Sequence, residues 1–400
     1  FIVSKINPNM TVDVDTVDKE GKANVTVTVN PKATGTVTII IDGKKYVDGI
    51  VDGKATLIVS DLAVGNYTIA VNYSGDVNFI GENATANFTI GAVDPALNVV
   101  VGNITYGNNA TITVNANSAA TGKVTITVNG ETYEVELLNG QATLIVPGLA
   151  AGKYVVNVTY DGDVNFNGSN ATANFTVTKS NPEMAVNVGN ITYGNNATVF
   201  VTMDARGNGT VNITVNGKTY TQTIKNGLVT LPISGLGAGI YKVTVSYDGD
   251  GNFTSASAET EFAVSAINPG MNVAVGNTTY GNNATVTVTV NPAATGKVNI
   301  TVNDATYEVD IVNGQATLVV SGLGTGKYAV DVKYAGDANF TGVNGTANLN
   351  VDRINPGMNV IVENTTYGNF TTVNVIVNPE ATGSVTITVN GKTETATLVG

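Results

Sequence analysis

Hydrophobic and polar residues alternate along almost the whole chain, in short bursts separated by turn residues. Leu97, Val99 and Val101 make one burst, and Ala110, Ile112 and Val114 a second. Val124, Ile126 and Val128 follow, then Tyr133, Val135 and Leu137, then Ala142, Leu144 and Val146. Tyr154, Val156, Val158 and Tyr160, and finally Ala171, Ala173, Phe175 and Val177, complete the run. Period-two alternation puts every second side chain on one face, so each burst predicts a strand with one buried face. Tyr154, Val156, Val158, Phe166 and Phe175 are expected in the core, with Thr111, Thr113, Thr125 and Thr159 outside. Asn129-Gly130 and Asn139-Gly140 lie between bursts, where a type I′ turn needs positive φ at both central residues. They predict two tight hairpins. No stretch shows helical periodicity.

The whole pattern returns every 87 residues: Met10, Leu97, Met184, Met271 and Met358 keep that step. So do Tyr106, Tyr193, Tyr280 and Tyr367, Tyr73, Tyr160, Tyr247 and Tyr334, and Phe79, Phe166, Phe253 and Phe340. Several independent markers on one spacing leave no room for insertions. The boundaries follow as 8–94, 95–181, 182–268 and 269–355 for four complete repeats. Residues 1–7 align with 88–94, the last strand of a preceding repeat, and 356–400 with the first half of a fifth. The chain is therefore expected to be an excerpt from a longer array. Seven short strands per repeat, joined by turns, predict an all-β fold of tandem immunoglobulin-like seven-stranded β-sandwiches. Leu149, Gly152 and Tyr154 have the spacing of a tyrosine corner, repeated at Leu62/Gly65/Tyr67, Leu236/Gly239/Tyr241 and Leu323/Gly326/Tyr328.

After that strand comes Tyr160-x-Gly162-Asp163-x-Asn165-Phe166. This pattern resembles the bacterial immunoglobulin-like repeats of surface adhesins. With its Asn- and Thr-rich repeats and Asn-Pro junctions, the whole chain resembles the adhesin-like repeat proteins of archaeal and bacterial cell surfaces. The resemblance implies an extracellular stalk, adhesin or fibre built from tandem domains.

Composition narrows the chemistry. Cys, His and Trp are absent, which excludes a thiol nucleophile, a histidine base, a disulfide frame and a His/Cys zinc site. The net charge of −12, from 19 basic and 31 acidic residues, argues against nucleic acid as a partner. No apolar run is long enough to span a bilayer in this segment. The carboxylates are scattered over turns, so no catalytic constellation is expected and the chain is read as non-enzymatic, without a cofactor.

Two features carry candidate sites. Asp161, Asp163 and Asn165, and likewise Asp248, Asp250 and Asn252, place oxygens at alternate positions of one loop, a spacing calcium loops use. The first carboxylate is Ser74 in the first repeat and Ala335 in the fourth, and no glutamate closes the loop. A tight turn is the preferred reading, with Gly162 bending the backbone, Asp163 bonding nearby amides and Phe166 closing the sandwich end. Asn-x-Ser/Thr triplets are dense, among them Asn83, Asn87, Asn103, Asn109, Asn170, Asn174, Asn190, Asn196, Asn277 and Asn283. They are glycosylation candidates on loops or outward faces.

The segments between repeats are short and contain Pro, which fixes its own φ and extends the residue before it. The expected object is an elongated array on a cell surface, a stalk or spacer projecting some other region. A carbohydrate- or protein-binding adhesin module and an extracellular filament subunit are the alternatives. Its partners would be its own neighbouring repeats and a host, cell-surface or self partner that the residues do not identify.

Overall fold

A computed structural model describes residues 1–15 and 22–399, and all the regular structure among them is β. The second repeat shows the plan. Its strands are β1 (Asn98–Val101), β2 (Ile104–Thr105), β3 (Ala110–Asn115) and β4 (Lys123–Val128). They continue with β5 (Glu131–Glu136), β6 (Gln141–Val146), β7 (Gly152–Gly162) and β8 (Asn167–Thr178). One sheet has the order β6-β3-β1 and the other β5-β4-β7-β8-β2.

Seven of these are the strands that the alternation predicts. The eighth, β2, is a finding of the structure. Ile104 and Thr105 pair in parallel with Val177 and Thr178, whereas the other pairings of the repeat are antiparallel. The entering and leaving segments thus run the same way, so the chain enters a repeat at one end and leaves at the other. The third and fourth repeats have the same short parallel pair, Ile191–Thr192 with Val264 and Ser265, and Thr278–Thr279 with Val351 and Asp352. In the first repeat its counterpart falls at 17–18, outside the described residues. Residues 356–399 contain two antiparallel strand pairs, Asn359–Val362 with Val373–Ile376 and Ser384–Val389 with Lys392–Thr397.

Both Asn-Gly turns form as the sequence predicts, with φ of 53° and 78° at Asn129 and Gly130 and 52° and 72° at Asn139 and Gly140. The core lies between the sheets, where Ile112, Ile126, Val156, Val158, Tyr160, Phe166 and Phe175 are buried. Each large apolar side chain so buried stabilises the sandwich by about 1.5–3 kcal/mol. Two expectations need correction. Tyr154 is half-buried, because its ring stacks on Phe175 while its hydroxyl reaches the surface turn. Thr113 and Thr125 are half-buried rather than exposed, since each lies on a strand flanked on both sides.

By compactness the chain divides into two bodies. One holds Phe1–Glu183, Met203–Thr210 and Tyr247–Ala256, and the other Met184–Thr202, Val211–Ser246 and Ser257–Gly400. The division cuts through the third repeat.

Candidate functional site at the repeat junctions

The loop between β7 and β8 begins with a forced bend. Gly162 has φ +94°, and a Cβ there would lie 2.6 Å from the Phe166 carbonyl oxygen. Only glycine fits. The bend turns the Asp163 carboxylate inward. One oxygen accepts the backbone N–H groups of Asn165 and Phe166 at 2.8 and 2.9 Å. The other accepts the N–H and the hydroxyl of Thr121, both at 2.8 Å, tying this loop to the one before β4. Partial burial opposes ionisation, but these four donors outweigh it and hold the carboxyl well below its usual range.

Each repeat builds the same knot. Asp76 accepts from Thr34, Asn78 and Phe79, and Asp337 from Thr295, Asn339 and Phe340. Against the pull of burial, the donors from Thr295, Asn339 and Phe340 lower Asp337 to about 2. Asp250 accepts from Asn208, Asn252 and Phe253, with Asn208 standing where the other repeats have threonine. Beside Asp163, Tyr160 donates its hydroxyl to the Thr121 carbonyl at 2.9 Å. Tyr247 and Tyr334 occupy the same place, and burial next to the aspartate pushes both up to about 12.

Of the six calcium candidates, Asp163 and Asp250 thus point their carboxylates at backbone donors. Asp161 and Asp248 are exposed on the outer side of the loop. Asn165 contributes backbone groups, and Asn252 directs its side chain to another repeat. Among the described residues no three acidic side chains gather around a common point.

The same loop receives the linker. Val93 donates its N–H to the Asn165 carbonyl at 3.0 Å and accepts from the Asn167 N–H at 2.8 Å. Ile6, Ser180 and Ile267 repeat this short parallel bridge with the loops that follow them. Each of these four linkers is stitched to the next repeat by backbone bonds.

Side chains then close the junction. Within the first body, Tyr106 of the second repeat meets Phe253 of the third edge-on, ring centres 5.3 Å apart at 83°. Asn252 Oδ1 accepts the Ala151 N–H at 2.9 Å, next to the tyrosine corner where Tyr154 bonds the Ala150 carbonyl. Within the second body the set recurs. Tyr193 meets Phe340 at 5.5 Å and 78°, and Asn339 Oδ1 accepts the Ala238 N–H at 2.8 Å. The junction of the second and third repeats has one addition. The Arg206 guanidinium lies 4.8 Å from the centre of the Tyr106 ring and is held there by both oxygens of Asp204. Ala119 and Ala293 occupy its position in the second and fourth repeats.

Tyr106 and Tyr193 are junction residues to which the alternation assigns no role, and their 87-residue recurrence was their only signal. Asn252 and Asn339 stand in the loop motif, whose spacing pointed to calcium for Asn252, and the structure turns their side chains across the junction instead. All ten glycosylation candidates have exposed side chains. The Oδ1 atoms of Asn103, Asn190 and Asn277 also accept the backbone N–H groups of Thr176, Ala263 and Asn350.

Known proteins bear on this arrangement. The family model described as bacterial Ig-like domain (group 3) matches residues 10–91, 97–178, 184–265 and 271–352. No curated protein matches the chain. Solved structures similar to it include immunoglobulin domains 1–5 of Sidekick-1, at 16% identity over 87% of this chain and 81% of that one, with a TM-score of 0.25. The D1–D4 ectodomain fragment of ICAM-5 is similar at 13% identity over 86% and 99%, TM-score 0.33. The N-terminal four Ig domains of a Dscam1 isoform follow at 12% over 86% and 98%, TM-score 0.24. With a family match inside each complete repeat, the chain belongs to the bacterial Ig-like domain (group 3) family, as a tandem array of its domains.

Proposed function

We propose that the chain is the stalk of a cell-surface, adhesin-like protein, a glycosylated extracellular spacer that holds another region away from the cell. The observation that supports this best is the repeated junction. The same Tyr–Phe contact and Asn-to-backbone bond recur once in each body, and the linkers at Ile6, Val93, Ser180 and Ile267 each bond to the repeat after them. A Gly/Ser-rich tether would carry none of these. Near-identical repeats suit a spacer better than four separate recognition sites, and the exposed Asn-x-Ser/Thr triplets suit the outside of a cell. On this reading each repeat adds about 40 Å, a strand of about 30 Å plus its loops. Four repeats would reach about 160 Å, against a radius of gyration of about 21 Å for one compact globule of this length. Small-angle scattering decides between them: a rod-like cross-section regime is expected, and a compact globular profile would end the stalk reading.

A further inference from the structure

Strand β6 ends its sheet, with β3 on one side and no strand on the other. The Gly140 carbonyl accepts the Ala116 N–H at 2.7 Å, which fixes the phase of the ladder. Ala142, Leu144 and Val146 turn their backbone groups to β3, and Thr143 and Ile145 turn theirs outward. The fourth repeat has the same phase through Gly314 and Val290, leaving Thr317 and Val319 outward on Gln315–Val320.

The other two repeats each remove one outward N–H from this edge, by different means. In the third, Pro232 stands where Ile145 stands in the second, so the outward N–H does not exist there. In the first, Asp48 Oδ2 accepts the outward N–H of Thr56 at 3.1 Å. Proline and inward-turned charge are devices that keep sheet edges from pairing. The open edges of the second and fourth repeats carry no charged residue along Gln141–Val146 or Gln315–Val320. Strand β5, the outer strand of the other sheet, carries Glu131, Glu134 and Glu136, which would face like charges in any self-pairing. Leu144 and Leu318 point to the core and are half-buried, as is Leu57 in the first repeat, so each leaves apolar surface at its edge.

We propose that β6 and its fourth-repeat counterpart are self-association edges, each pairing antiparallel with the same strand of a second copy of this chain. A two-fold axis at Leu144 lets Thr143 and Ile145 exchange backbone bonds with Ile145 and Thr143 of the second copy and brings the two leucines together. A neutral edge is the face on which two molecules of net charge −12 can approach. The contact is small, so association is weak and reversible and strengthens as salt screens the remaining charge.

Sedimentation velocity over a range of protein and salt concentrations tests this on the whole chain. Wild type is expected to shift to dimers and larger species at high concentration. Ile145→Pro combined with Val319→Pro copies what the third repeat already accommodates and is expected to remain monomeric, with circular dichroism unchanged. Pro232→Ile opens a third edge and is expected to associate at lower concentration than wild type. A wild-type chain that stays monomeric throughout, or a double-proline variant that associates as wild type does, overturns the proposal.

Discussion

Phe166, Gly162 and Asp163 show how one residue's chemistry becomes local structure. The phenylalanine is 6% exposed and closes the core, so Phe166→Ala is expected to cost about 3–5 kcal/mol, read from chemical unfolding. The aspartates give the array an acid limit. The folded-state value of Asp337 is about 2, below its ordinary 3.8, so its ionised form stabilises the fold. That contribution is complete above the ordinary value and is lost as pH falls through the folded one. Melting temperature should therefore drop between pH about 4 and about 2, and Asp337→Asn should flatten the drop. A variant as acid-sensitive as wild type would remove Asp337 from the account. Calcium is expected to leave melting unchanged, because the carboxylates of Asp163 and Asp250 already meet backbone donors. A calcium-dependent rise that disappears in Asp161→Asn with Asp248→Asn would reverse this. The turn was legible because Gly-Asp-x-Asn-Phe names its own local bonds. The bond from Ala151 to Asn252 was not, because its partners lie 101 residues apart and nothing around either names the other.

At the scale of the element, alternation gave seven strands and missed one. Two residues, Ile104 and Thr105, carry no period, and their pairing exists only once the last strand has arrived 73 residues later. The tyrosine corner was readable because its spacing is local. Tyr154 donates to Ala150 four residues back, as Tyr67 does to Ala63, Tyr241 to Gly237 and Tyr328 to Gly324. Tyr154→Phe removes that bond and keeps the stack on Phe175, so a loss of about 0.5–1.5 kcal/mol is expected from denaturant unfolding. A loss the size of a core truncation would mean that the hydroxyl supports more than its own turn. Edge protection was also written in the sequence, in Pro232 and Asp48, but their meaning needed the strand order: without knowing that β6 is outermost, a proline in an alternating run reads only as a weak strand.

At the scale of the whole molecule, the property that matters is how strongly one repeat constrains the next. In a tandem array, stability is close to a sum of repeat terms and nearest-neighbour interface terms. Where the second repeat meets the third and the third meets the fourth, the interface has three parts: the backbone bridge from the linker, the tyrosine on the buried phenylalanine, and the asparagine on the tyrosine-corner loop. The backbone bridge survives any side-chain change, so truncating the other two should loosen a junction without unfolding the repeats it joins. Tyr193→Ala with Asn339→Ala does this between the third and fourth repeats, removing the ring contact and the bond to Ala238. The chain has no cysteine, so a single labelled pair can be placed cleanly at Thr244→Cys and Asp331→Cys, exposed and at the same position of consecutive repeats. A narrow spin-label distance distribution is expected in the otherwise wild-type chain and a markedly broader one in the double variant, with the melting temperature nearly unchanged. Equal widths in the two would mean that the proline-containing linker and its backbone bridge alone hold the joint, and that the aromatic contact is incidental to stiffness.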